Sequence, residues 1–280
     1  MKLKLSCADF TFPLLPHDDV LDLIAKLGVE GVDIGLFEYG LHIQPSGVIK
    51  DIAGSARDLS RRVEDRGLVI ADIFPILNAS YDKLAINDPL ARVRRKAEDL
   101  FKRILEYTVR TGAEHMTILP GVPWEKREAY SDSLNRCAEE LAWRVEMGRS
   151  MGVTVSIEAH LESIVPTPKQ AMALLRKTPG LTLTLDCTHF VYQGFKNSEI
   201  HSLIPHATHF HARSGAKNIL QGLLRENTID YPQILRRMKQ SNYPGYVGLE
   251  YVWEDWGGCN RVDTLSETIQ LRDLLLKVKL

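Results

Sequence analysis

Cysteine is scarce in this chain and never paired in sequence. The four thiols, Cys7, Cys137, Cys187 and Cys259, lie far apart and form no C-x-x-C. A disulfide framework is not expected in a chain with this much potential core, so reduced thiols are predicted. An excess of charge is also missing: 35 Lys and Arg against 36 Asp and Glu leave a net charge of −1. No strong field therefore steers nucleic acid or an anionic membrane surface toward the protein. Long apolar runs are absent as well. No stretch is long enough to span a bilayer, and the opening residues Met1-Lys2-Leu3-Lys4-Leu5-Ser6-Cys7 lack the apolar run of a signal peptide. A soluble, cytoplasmic protein is the expectation. Finally, no G-x-G-x-x-G follows the first apolar run and no G-x-x-x-x-G-K-[ST] occurs. The first absence argues against a dinucleotide-binding open sheet, and the second slightly favours a ligand without phosphate.

What the chain does have is alternation between two textures. Short apolar, β-branched runs occur at Leu3 to Cys7, Gly31 to Leu36, Leu68 to Phe74, His115 to Leu119, Thr154 to Ala159, Leu181 to Asp186, Thr208 to Ala212 and Val247 to Val252. Each is short and apolar enough for a strand buried on both faces. Helical periodicity fills the intervals. It is clearest from Leu90 to Thr111, where Val93, Ala97, Leu100, Ile104 and Thr108 recur every three or four residues. Further helices are predicted over Asp18 to Leu27, Gly47 to Arg66, Glu128 to Gly152, Thr167 to Lys177, Asn197 to Pro205, Asp230 to Asn242 and Leu265 to Val278. Thr167-Pro168 supplies a capping hydroxyl and a proline at the first helical position. Eight strand–helix repeats with no linker or low-complexity segment predict a single-domain α/β fold, a (β/α)8 TIM barrel over residues 1–280. The length and the 44% apolar content suit one such barrel.

In that architecture function sits where strands end and the following loops begin. The last four predicted strands end in metal-ligand types: Glu158 on the fifth, Asp186 on the sixth, His211 on the seventh and Glu250 on the eighth. A lone acid after a strand is ordinarily a helix cap or a solvated loop residue. Four successive strands each presenting one such group around a common rim are not explained that way. Three carboxylates and an imidazole suit one hard or borderline divalent ion, Mn²⁺ first, with Mg²⁺ and Co²⁺ as alternatives. Zn²⁺ usually takes more nitrogen or sulfur. Asp72 is read as ending the third strand, as a cap or a contact to a substrate hydroxyl. Phe10, Phe12, Phe37 and Trp124, Trp253 and Trp256 follow strands, as pocket walls or as core. The loop from Trp253 to Asp263 follows Glu250 directly, as a cover for the rim or as a contact between copies.

The series Glu158, Asp186-x-x-His189, His209-x-His211 and Glu250 resembles the xylose-isomerase-like barrel superfamily, and within it the sugar isomerases and epimerases of the tagatose-epimerase type. The motif match covers about Thr154 to Val252, and the strand–helix rhythm extends it over the chain. The resemblance implies that Glu158 and Glu250 bind the metal and also form the acid–base pair, with Asp186 and His211 completing the metal site. It implies a small sugar or keto-sugar substrate, with His189 and Lys217 near it, and a homo-oligomer or a partner subunit. His160 is expected to serve the substrate where the family more often carries a glutamate or an arginine. Such a site abstracts a proton beside a carbonyl, and the cation stabilises the enediolate that results. The same groups support elimination when a leaving group lies β to that carbon, so a lyase or dehydratase of keto-sugars, keto-inositols or 3-keto-glycosides is the alternative. An endonuclease-IV-like nuclease needs three zinc ions and histidines ending strands two to four. Asp72 is the only ligand type read at those ends, and the near-zero net charge is unfavourable for DNA. A non-catalytic binding barrel would leave the four groups as caps and ion pairs. Elemental analysis of freshly purified protein separates these readings: one divalent ion per chain is expected, and none would support the binding barrel.

Overall fold

Strict in–out alternation along short strands closes this chain into a barrel. The computed structural model describes residues 2–78 and 80–280. Its strands are β1 (Leu5–Ala8), β2 (Gly31–Phe37), β3 (Val69–Ile76), β4 (His115–Ile118), β5 (Thr154–Glu158), β6 (Thr182–Asp186), β7 (Ala207–Ala212) and β8 (Val247–Leu249). All neighbours pair in parallel in sequence order, and β8 returns to β1. Helices cross over between strands, including His17–Lys26, Ile52–Glu64, Ala91–Thr111, Tyr130–Ser150, Pro168–Lys177, Tyr231–Gln240 and Thr264–Lys277. Thr167 caps Pro168–Lys177 by accepting the Gln170 N–H. Among the described residues no helix is long and apolar enough to cross a membrane.

The expected elements are present, with three informative differences. The predicted Gly47 to Arg66 helix is two, Pro45–Val48 and Ile52–Glu64, because Asp51 interrupts it to cap the second through the Gly54 N–H. A short helix, Thr188–Tyr192, follows β6 at once. The third corrects a residue. β3 continues through Pro75 to Ile76, paired with Leu36 and Phe37. Proline favours extended backbone, so it does not end the strand. Asp72 is consequently in mid-strand inside the barrel, and neither ends a strand nor caps a helix.

The main apolar core lies between barrel and helices. Cys7, Val32, Ile34, Ile73, Met116, Val155, Ile157, Leu183, Leu185, Phe210, Val247 and Leu249 belong to it. The alternate residues point inward and are mostly polar: Ser6, Asp33, Asp72, Thr117, Ser156, Thr184 and His209 are all buried. Branched apolar side chains commonly fill this space in barrels. Here hydrogen bonds do. Asp72 Oδ1 is 2.6 Å from His115 Nδ1, and Asp72 Oδ2 accepts the Thr117 hydroxyl at 2.7 Å. Thr117, Thr184 and Ser156 continue the chain, with Oγ contacts of 2.6 and 2.5 Å. His115 Nε2 lies 3.1 Å from Thr208 Oγ1.

Burial alone would raise the Asp72 carboxyl. The hydrogen bonds and charge from His115 and the Thr117 hydroxyl outweigh it and hold the group well below the usual carboxylate range. Replacing Asp72 by alanine leaves the His115 and Thr117 donors without their acceptor in the barrel interior. Asp72→Ala is expected to cost roughly 3–5 kcal/mol, read from the urea unfolding midpoint.

Candidate active site

The rim residues are placed by strand register. Asp186 pairs with His211 across β6 and β7, and the backbone N–H of Glu250 donates to the Ala212 carbonyl at 2.9 Å, continuing β8 past Leu249. Side chains two residues apart on a strand share a face, so Glu158, Asp186, His211 and Glu250 all turn inward at the same end. All four are buried.

His211 is the centre of the group. Its Nδ1 is 2.8 Å from Glu158 Oε1 and 3.4 Å from Glu250 Oε2. Glu158, His211 and Glu250 form one set with metal-ligand atoms within 4.8 Å of one another, and Glu158, Asp186 and His189 form a second. Glu158 belongs to both. Asp186 thus adjoins the three-residue set through Glu158. Its oxygens already accept hydrogen bonds. Oδ1 takes the Thr188 N–H and hydroxyl at 2.8 and 2.6 Å, and Oδ2 takes Arg213 Nε and Nη2 at 3.1 and 2.8 Å.

The electrostatics follow from packing carboxylates into a buried rim. Burial would lower the His211 imidazole, but Glu250 and the hydrogen bond with Glu158 carry it up to about 10. Burial would raise Glu158, yet His211 keeps it below its ordinary value. Burial pushes Glu250 up to about 8, aided by Glu158 and Asp186 and opposed by His211 and Arg213. Burial likewise opposes ionisation of Asp186, and Arg213, His189 and Thr188 reverse this, bringing it down to about 2. The rim demands positive charge between Glu158 and Glu250. A proton on His211 meets that demand, and a divalent cation on the same oxygens and nitrogen would meet it as well. Glu250 Oε2 is buried without a hydrogen-bond partner. The donor set is therefore one that a hard or borderline cation fits.

The cavity above the rim has about 460 Å³ of non-atom space, its open mouth included. Phe10, Phe37 and Phe74 wall one side, with Phe37 and Phe74 edge-on at 5.6 Å. Tyr81 and Trp256 also line it. Trp256 is carried by the loop after β8, whose Gly257 has φ +60° where a Cβ would collide with Leu220. Gln221 fixes that loop by bonding the Val252 and Cys259 carbonyls and the Val252 N–H.

The structure brings His160 and His189 to this cavity, as expected. His160 Nδ1 accepts the Glu162 N–H at 3.3 Å, so its proton sits on Nε2, which has no partner. Burial lowers this imidazole to about 4, keeping it neutral. His189 Nδ1 is also unpartnered. Ser163, two residues before Val165, accepts the Val165 N–H and is tied to its own turn.

Lys217 is not brought to the cavity. It is exposed at the tip of a tight turn closed by Ala216 and Ile219, with Asn218 beside it at φ +62°, and that turn directs it outward. The cation inside is Arg213, buried against Asp186 and lining the cavity. Sequence reasoning missed it although the signal was available: Arg213 is two residues after His211 and so faces the same way. Tyr81 had no such signal, because it lies in the loop after β3. Phe12 packs into the main core, and Trp253 is exposed.

With this geometry in place, comparison with known proteins is direct. The family model described as xylose isomerase-like TIM barrel matches residues 21–274. Comparison with curated proteins finds no significant match. Among solved structures, an L-ribulose 3-epimerase is similar with a TM-score of 0.77 and 18% identity, covering 98% of this chain and 93% of that one. A D-psicose 3-epimerase from Clostridium cellulolyticum gives 0.77 and 14%, covering 99% of each chain. A probable 3-DHS dehydratase from Bacillus anthracis gives 0.72 and 15%, covering 99% of this chain and 100% of that one. At these identities the likeness is one of fold.

Arg213 offers a direct test of the rim's charge balance. Arg213→Ala leaves the Asp186 carboxylate buried without its cation and is expected to cost roughly 3–5 kcal/mol in thermal or urea unfolding. Arg213→Lys restores the charge without the two-pronged contact and should recover only part of the loss.

Proposed function

Because the chain belongs to the xylose isomerase-like TIM-barrel family, we propose that it is a divalent-metal-dependent isomerase or epimerase that moves a proton on a small sugar or keto-sugar. The observation that carries this reading is the buried Glu158–His211–Glu250 cluster facing a cavity with further polar groups. Those three residues would hold the ion, with Asp186 beside them, and Mn²⁺ is the first candidate ahead of Mg²⁺, Co²⁺ and Zn²⁺. When bound, the ion supplies Lewis-acid polarisation of a substrate carbonyl and its neighbouring hydroxyl.

The chain's own groups perform the proton transfer. Glu158 on β5 and Glu250 just past β8 come from strands on either side of the β6–β7 pair. Two carboxylates entering from different sides can act on one carbon, one taking its proton and the other returning one with inversion. The His160 Nε2–H is free to donate to a substrate oxygen, and the unpartnered His189 Nδ1 offers a second polar contact. Arg213 keeps Asp186 ionised and presents positive charge to the same cavity. Phe10, Phe37, Phe74 and Trp256 supply apolar surface against which sugar C–H faces pack and which limits water at the reacting carbon.

A second reading, elimination, is favoured by the two imidazoles. His160 and His189 give the cavity ring nitrogens beyond the glutamate pair that can hydrogen-bond a departing β-hydroxyl. Incubation with keto-sugars in D₂O separates the two. Exchange of the α-hydrogen with formation of a diastereomer or of the aldose–ketose isomer supports the first reading, and loss of water or of an aglycone supports the second. Glu158→Gln and Glu250→Gln are each expected to reduce turnover roughly 10²–10⁴-fold. Retention of turnover within a few-fold by either variant would remove that residue from the proton-transfer pair.

A further inference from the structure

Asp33 is a carboxylate with no evident purpose in the chemistry above. It sits on β2 and is completely buried. A carboxylate in such a place is tolerated when hydrogen-bonded or paired, and among the described residues no lysine or arginine bonds to it. Its Oδ2 lies 3.0 Å from His209 Nε2. Its Oδ1 has no partner.

The same unpaired state occurs on His211. Nδ1 is turned to Glu158 and Glu250, while Nε2 is buried without a partner. Asp33, His209 and His211 each bring one oxygen or ring nitrogen within 4.8 Å of the other two. Asp33 and His211 thus approach each other inside the barrel, and each carries one buried polar atom that is unsatisfied among the described residues. A glycine keeps this approach open. A Cβ at Gly248, the residue in register with His211, would collide with Asp33 Oδ2.

We infer that Asp33 is a positioning residue for His211, accepting its Nε2–H so that Nδ1 is left as the nitrogen facing Glu158 and Glu250. The inference rests on the proposed metal site. A histidine that coordinates through one ring nitrogen ordinarily donates the other N–H to an acceptor, which sets the tautomer and the ring plane. His209 holds the second Asp33 oxygen and so keeps the carboxylate from turning away. The chain would then carry an acceptor, β2 Asp33, under a ligand on β7 that is 178 residues distant in sequence.

Metal binding, read without substrate, tests this. Apo protein is titrated with Mn²⁺ against a fluorescent chelator. Wild type is expected to take up one ion per chain, and Asp33→Asn to bind roughly 10–100-fold more weakly while unfolding cooperatively. Gly248→Ala, which displaces the carboxylate without changing charge, should weaken binding in the same direction. Nitrogen-15 NMR of Zn²⁺-loaded wild type should show His211 protonated at Nε2, a result independent of whether D33N folds. Folded D33N with affinity within about two-fold of wild type, or a His211 without a proton on Nε2, overturns the proposal. So does a second ion per chain that D33N alone loses, since Asp33 would then be a ligand. Wild type that binds no ion overturns the proposed metal site itself, a failure distinct from unchanged D33N affinity.

Discussion

Carboxylates sealed inside this barrel are stable because each meets an imidazole or a guanidinium, and most of the site follows from that constraint. Asp72 meets His115, Asp33 meets His209, Glu158 meets His211 and Asp186 meets Arg213. The first two pairs lie below the rim and the last two form it. A buried ion pair is not in itself a source of stability, since desolvation offsets the attraction. Its effect here is on geometry. Removing either member leaves a buried polar or charged group without its partner, so each pair favours one arrangement, in the layers beneath the rim as in the rim itself.

The division of labour between faces makes this affordable to the fold. Outward-pointing strand residues bury against the helices and form the main apolar core, while inward ones are free to be polar. A second, smaller apolar cluster of Ala8, Phe10, Phe37, Phe74, Leu220, Val252 and Cys259 sits at the functional end. Beside the charged rim it gives a substrate a dry wall on one side and ligating groups on the other. This low-dielectric setting strengthens every interaction among Glu158, His211 and Glu250.

Much of this was legible in the chain before any coordinates. Eight short apolar runs became eight strands, with no end displaced by more than three residues. The rim acids and His211 were visible because each closes a strand, and the period of two places them on one face. Arg213 obeyed the same period and was overlooked in favour of Lys217, whose spacing from His211 matched a family habit. The two-residue turn at Ala216–Ile219 overrides that spacing by pointing Lys217 to solvent. Asp72 was read as a strand end although the apolar run continues to Phe74; parallel pairing with β2 carries β3 on to Ile76 and leaves Asp72 in mid-strand.

The sequence by itself determined the architecture and the identity of the rim groups, since both depend on local periodicity and on residue type at strand ends. Tertiary structure decided which of those groups meet. It gathered Glu158, His211 and Glu250 into one set, tied Asp186 to Arg213, and brought His209 and Asp33 together from opposite parts of the chain. Barrel closure causes this difference. Which side chains face one another across the axis depends on strand tilt, on register and on small residues such as Gly248, and none of these is encoded within a single segment.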